Sequence, residues 1–201
     1  MSTSDDPRSL MVEIAQLMYG RHLTNSAGGN ISCRVGDRIY ITPRYMASRR
    51  RWQLTPDLVL VFDDAFQPVA GDPSRKSRES AMHFACYRRF PQINGIIHAH
   101  SRYLSVFAAK GKPVEPTNEY TEKFGTTPVV PALPSHSQEL ARAVVEALEP
   151  HEATLEKNGL GLILTWHGAL AVGRDLADAY DTLERLEWSA HTQLMMTRLP
   201  D

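Results

Sequence analysis

Cysteine is scarce. Cys33 and Cys86 are the only two in 201 residues, far apart and outside Cys-x-x-Cys spacing. No disulfide framework is expected, and a reducing cytoplasm is the expected compartment. Net charge is nearly absent at −1, so neither nucleic acid nor an anionic membrane is expected as the main partner. The densest basic cluster, Arg49-Arg50-Arg51, is short and reads as a solvated loop. Long apolar runs are missing too: no stretch approaches the roughly 18 apolar residues of a membrane span. The start, Met1 to Arg8, is polar and acidic with no apolar signal core, and residues 1–8 are expected to be disordered. There are no internal repeats and no low-complexity linkers. What remains is an ordinary globular composition, 42% hydrophobic and 22% charged. One domain over residues 1–201, with a sizeable core, fits that length.

The stretch that stands out is Ile93-Asn94-Gly95-Ile96-Ile97-His98-Ala99-His100. On an extended strand, side chains alternate between faces, so His98 and His100 point the same way. Two imidazoles side by side can share one divalent metal. A second apolar run, Gly161 to Trp166, ends in His167-Gly168, and Glu79 lies on a helix that leads into the first strand. Three histidines at two strand ends plus one carboxylate suit a zinc-type ion and leave a coordination position open, as in a catalytic site. His83, four residues after Glu79 on the same helix face, is a rival ligand.

The rest of the chain alternates helices with short strands. Ser9 is expected to cap a first helix with Leu10, Ile14, Leu17 and Met18 on its apolar side. Ala27-Gly28-Gly29-Asn30-Ile31-Ser32 offers close backbone approach and two polar side chains before a strand. Residues 31–35 and 38–42 read as a hairpin around Gly36-Asp37, followed by short strands near 58–62 and 67–69. Ser74 or Ser77 is expected to cap a helix reaching about Phe90. A helix over 101–109, an irregular polar segment over 114–134 with a short extended piece at 128–131, and an amphipathic helix over 135–148 with Ser135 or Ser137 as cap follow. His136, beside that last helix's cap, reads as structural. A closing helix runs from Asp175 to about Thr197 with an apolar stripe of Leu176, Tyr180, Leu183, Leu186 and Leu194. This order predicts an α/β fold with a largely antiparallel sheet.

Five short motifs then come in one register: Gly29-Asn30-Ile31-Ser32, Ile41-Thr42-Pro43, Ser77-Arg78-Glu79, His98-Ala99-His100 and His167-Gly168. In order and approximate spacing the chain resembles the class II aldolase/adducin family, over about Leu10 to Leu194. The resemblance implies a three-layer α/β/α fold around a mostly antiparallel sheet. It implies a metal held by His98, His100 and His167, with Glu79 as fourth ligand or as acid/base. The metal is most simply Zn2+, with Mn2+, Co2+ and Fe2+ as alternatives. It further implies a homo-oligomer, commonly a tetramer with sites between subunits. Its phosphate-binding positions fall on Asn30, Ser32, Thr42 and Ser77. Tyr120 is the first choice for a second acid/base, with Glu119 and Glu122 as alternates.

Two positions depart from the family pattern. Arg44 follows Thr42-Pro43, and Arg78 replaces the second of the paired serines. Both can bind phosphate or carboxylate through a bidentate fork. The expected function is a metal-dependent lyase: aldolase-type carbon–carbon cleavage through an enediolate, on a small anionic hydroxy-carbonyl compound such as a sugar phosphate. Dehydration and decarboxylation on the same scaffold are the alternatives. A non-catalytic adducin-like binding module is the competing class, and it has no use for three converging histidines.

Overall fold

The structure, a computed structural model, describes residues 6–199. Of the lead expected to be disordered, residues 1–5 lie outside the described residues, and Pro7 and Arg8 already belong to helix α1 (Pro7–Gly20). Asp6, not Ser9, caps it, accepting from the Arg8 N–H with Pro7 at the first helical position. Proline is preset for that place and gives up an amide that would be unpaired anyway. The buried stripe is Met11, Ile14, Ala15 and Met18; Ile14 and Met18 face inward as expected, while Leu10 and Leu17 face outward.

The expected hairpin forms from β1 (Asn30–Val35) and β2 (Arg38–Ile41). An unforeseen helix, α2 (Met46–Arg50), follows, so Arg49 and Arg50 lie on a helix end rather than in a loop. Left-handed residues flank it: Tyr45 (φ 66°), Arg51 (φ 48°) and Trp52 (φ 62°). Burial of the Trp52 ring, with its Nε1–H donated to the Asn25 carbonyl at 3.0 Å, holds this costly backbone in place. Next come β3 (Leu60–Asp63), β4 (Pro68–Ala70), α3 (Ser80–Arg89) and β5 (Gly95–Ala99). Neither Ser74 nor Ser77 caps α3; Glu79 itself occupies the N-cap position. After α4 (Leu104–Lys110), the segment read as irregular contains α5 (Glu119–Glu122), capped by Asn118, and β6 (Val129–Val130). Ser137 caps α6 (Gln138–Leu148), which leads through α7 (Glu152–Leu155) to β7 (Leu160–Leu164). A strand absent from the sequence reading, β8 (Gly168–Gly173), precedes α8 (Leu176–Met196).

The strands form one eight-stranded sheet in the order β4-β3-β2-β1-β5-β8-β7-β6. Every pairing is antiparallel except β6 with β7. Helices cover both faces, so β5, β7 and β8 are buried along their whole length. On one side Ile31, Ile97 and Ala171 pack with Met11 and Met18 of α1, Leu104 of α4 and Leu183 of α8. On the other, Ile96, Leu162 and Leu170 pack with Phe84 and Tyr87 of α3 and Leu140 and Val144 of α6. This is the expected three-layer α/β/α arrangement. Gly95 lets α8 enter against the sheet, because a Cβ there would collide with the Asp175 carbonyl.

Candidate active site

The ends of β5 and β8 bring the three histidines together. β5 pairs His98 with Leu170 and Ala99 with Ala169 across β8, and His167 sits in the turn just before β8. One ligand atom from each of His98, His100 and His167 lies within 4.8 Å of the others. His98 is fully buried, and its Nδ1 is 2.9 Å from the Ala169 carbonyl. A carbonyl only accepts, so Nδ1 carries the proton and Nε2 presents its lone pair. That Nε2 has no hydrogen-bond partner, and its nearest carboxylate oxygen, Glu79 Oε2, is 3.6 Å away. A buried imidazole with its tautomer fixed and its free nitrogen aimed into a cluster of histidines is the donor arrangement a divalent metal needs. The residues present therefore fit such an ion.

Glu79 faces this cluster from the N-cap of α3, with φ −91° and ψ 0°, the bridge region used by turn residues and by many active-site residues. Its Oε1 is 2.8 Å from His167 Nε2 and 3.7 Å from His136 Nδ1. Asn30 Nδ2 donates to Oε2 at 2.8 Å. Burial alone would raise the carboxyl pKa. The neighbouring His98, the hydrogen bond from His167 and the charges of His167 and His136 outweigh it and hold the pKa well below the usual carboxylate value. Burial also pushes His100 down to about 3, with like-charge neighbours His98 and His167 adding to the effect, so its imidazole is neutral and able to ligate near pH 7. His98 is lowered for the same first reason, burial.

The cluster forms one end of a cavity of about 460 Å³ lined by Gly28, Gly29, Asn30, Arg44, Tyr45, Ser77, Arg78, Glu79, His100, His136, Trp166 and His167, among others. Two glycines make room for it. A Cβ on Gly28 would stand 3.1 Å from His100 Nε2; Gly29 takes φ +111°, and a Cβ there would press on the His98 carbonyl at 2.8 Å.

A family model described as Class II Aldolase and Adducin N-terminal domain matches residues 9–194. The chain belongs to this family. It is 32% identical over 191 residues to an L-fuculose phosphate aldolase of Methanococcus maripaludis, covering 94% of this chain and 96% of the relative. A 3-oxo-tetronate 4-phosphate decarboxylase of Haemophilus influenzae is 30% identical, with 91% of this chain and 84% of the relative covered. The fold superposes on a solved L-fuculose 1-phosphate aldolase with TM-score 0.79 at 24% identity, over 100% of this chain and 93% of the other.

Within this class II aldolase-family chain, not every expected residue reaches the cavity. Asn30, Arg44, Ser77 and Arg78 line it. Ser32 does not. It lies two pairs deeper in the sheet than Asn30, fully buried, with its hydroxyl 2.7 Å from His83 Nδ1 and 2.8 Å from the Tyr87 hydroxyl. Thr42 is likewise fully buried and extends the β1–β2 pairing, its Oγ1 accepting from the Ile31 N–H at 3.0 Å. His83, the rival ligand, is neither in the metal cluster nor at the surface; it is fully buried against Ser32. Glu119, Tyr120 and Glu122 are exposed on α5, and none lines this cavity.

Three cavity residues were missed or misread in the sequence. His136, expected beside the helix cap, also lines the cavity: it takes φ 69° and places Nδ1 3.7 Å from Glu79 Oε1. Tyr45 and Trp166 also take left-handed backbone, at φ 66° and 60°, and both are exposed at the cavity wall. Trp166 is 83% exposed and also borders a second recess against Ser105, Ala108 and Ala109 of α4. Left-handed backbone in bulky residues is costly and concentrates at functional sites. Only the position of Trp166 immediately before His167 was a usable sequence signal.

Proposed function

We propose that the protein is a divalent-metal lyase that cleaves a carbon–carbon bond beside the carbonyl of a small anionic hydroxy-carbonyl compound, with sugar phosphates as the leading class. The reading is carried by one observation: His98, His100, His167 and Glu79 converge at one end of a polar cavity whose wall holds Arg44 and Arg78. When bound by the three histidines, a zinc-type ion supplies Lewis acidity to the substrate carbonyl. Glu79, kept ionised and oriented by Asn30 and His167, is the base that takes the proton of the hydroxyl whose carbon leaves as the aldehyde and returns it to the carbon that cleavage leaves as an enediolate. Asn30, Ser77, Arg44 and Arg78 receive the phosphate or carboxylate. Tyr120, with Glu119 beside it, serves the site of a neighbouring copy as the second acid, since both are exposed on α5 and stand apart from their own cavity. A tetramer working in the cytoplasm agrees with this assignment, as do two buried, unpaired cysteines.

A second reading, decarboxylation of a 3-keto acid phosphate, is favoured by the two arginines in the cavity and by the Haemophilus influenzae relative. The test is elemental analysis of the purified protein, followed by product detection with phosphorylated and carboxylated keto-sugars. About one metal per chain and release of an aldehyde fragment are expected. Evolution of carbon dioxide without an aldehyde fragment selects the second reading. Failure to take up any divalent metal rejects both.

A further inference from the structure

The cavity does not end at Arg44 and Tyr45. The same two residues form the near wall of a second recess of about 550 Å³, completed by Arg49, Arg50, Gln53 and Arg75. Four guanidinium groups thus share one small concavity in a chain whose net charge is −1. Among the described residues none of the four makes an ion pair with a carboxylate, while other arginines of the chain, such as Arg89 and Arg174, do. Asp57 and Asp72 feel the field of this group, Asp57 from Arg50 and Arg75 and Asp72 from Arg75 and Arg44, yet neither lines the recess.

The arginines are also held in position. The Arg44 N–H donates to the Arg75 carbonyl at 2.8 Å, and Pro43 bridges to Lys76, which ties the two arginine-bearing segments together. The guanidinium groups of Arg44 and Arg49 lie over the Tyr45 ring, 5.3 Å and 4.5 Å from its centroid. Tyr45 is itself fixed in left-handed backbone at φ 66°. Four positive charges lining one recess favour an anion there, and the forks of Arg44 and Arg49, held over a ring, are preorganised for oxyanions.

We infer that this recess is a second anion subsite, which takes an outlying phosphate or carboxylate of an extended, doubly anionic substrate whose reacting end lies at His98, His100 and His167. The substrate part of the inference rests on the lyase reading above; the anion site itself does not. It is tested without turnover by calorimetric titration of the full-length protein with inorganic pyrophosphate at low ionic strength. We compare wild type with R49A/R50A, on α2, and with R75Q, on the other segment. Loss of a charge-assisted contact predicts at least about tenfold weaker binding in each variant. Binding of equal strength in wild type and both variants, or no saturable binding by wild type, overturns the site. Steady-state kinetics then address the substrate. A KM for a bis-anionic substrate that rises in R49A/R50A while that for its mono-anionic analogue stays constant supports the assignment; equal rises overturn it. A failed lyase reading leaves the pyrophosphate result untouched, so the two failures are separable.

Discussion

His98 is the residue on which the site turns, and its environment leaves it one task. Its ring is buried, one nitrogen is committed to the Ala169 carbonyl, and the other has no hydrogen-bond partner among the described residues. His98→Ala is therefore expected to abolish metal uptake, read by elemental analysis, while the far-UV circular dichroism spectrum stays native. Full metal occupancy in that variant would reject His98 as a ligand. His83, two layers away in role, predicts a pH effect instead. Burial first, then the like charge of His98, lower its pKa from 6.5 to about 3. Between those values the unfolded chain binds a proton that the native chain refuses. The stabilisation is thus complete above pH 6.5 and is lost as pH falls toward 3, at about 1.4 kcal/mol per pH unit. Urea unfolding at several pH values should show a shallower acid slope for His83→Gln than for wild type; identical slopes would remove His83 from the account.

At the scale of elements, the turn chemistry and the apolar runs were legible. The hairpin at Gly36-Asp37, the Ser137 cap and the strand into His98 are local signals, written in adjacent residues. Other features were not, because they depend on distant partners. Gly168–Gly173 contains small residues with no alternation, and it is a strand only because β5 and β7 flank it and helices cover both faces. Ser32 and Thr42 are fully buried in the sheet, a depth that motif spacing does not encode. Glu187 on α8 carries no local sign of its role; it is buried and accepts from the Tyr103 and Leu104 N–H groups at the start of α4. Glu187→Ala should cost about 1–3 kcal/mol, through two amides left unpaired, measured by denaturant midpoint. Gly95→Ala should destabilise by a similar amount or more, since the new methyl meets backbone at the entry of α8.

At the scale of the whole molecule, the decisive question is how copies assemble. If Tyr120 completes a neighbour's site, mixing inactive Tyr120→Phe and His98→Ala chains should restore part of the activity, because some interfaces then combine an intact tyrosine with an intact metal cluster. No recovery, in an assembly shown by light scattering to contain both chains, would return Tyr120 to the surface. The sheet order carries a last implication. β5 lies between β1, from early in the chain, and β8, from late in it. The carbonyl that sets the His98 proton is 71 residues further on. A chain emerging from the ribosome therefore holds His98 and His100 long before anything can fix them for ligation. Metal capture waits until synthesis has passed β8, so the ion is acquired by a nearly finished chain and serves as a report that the strands on both sides of β5 have closed around it.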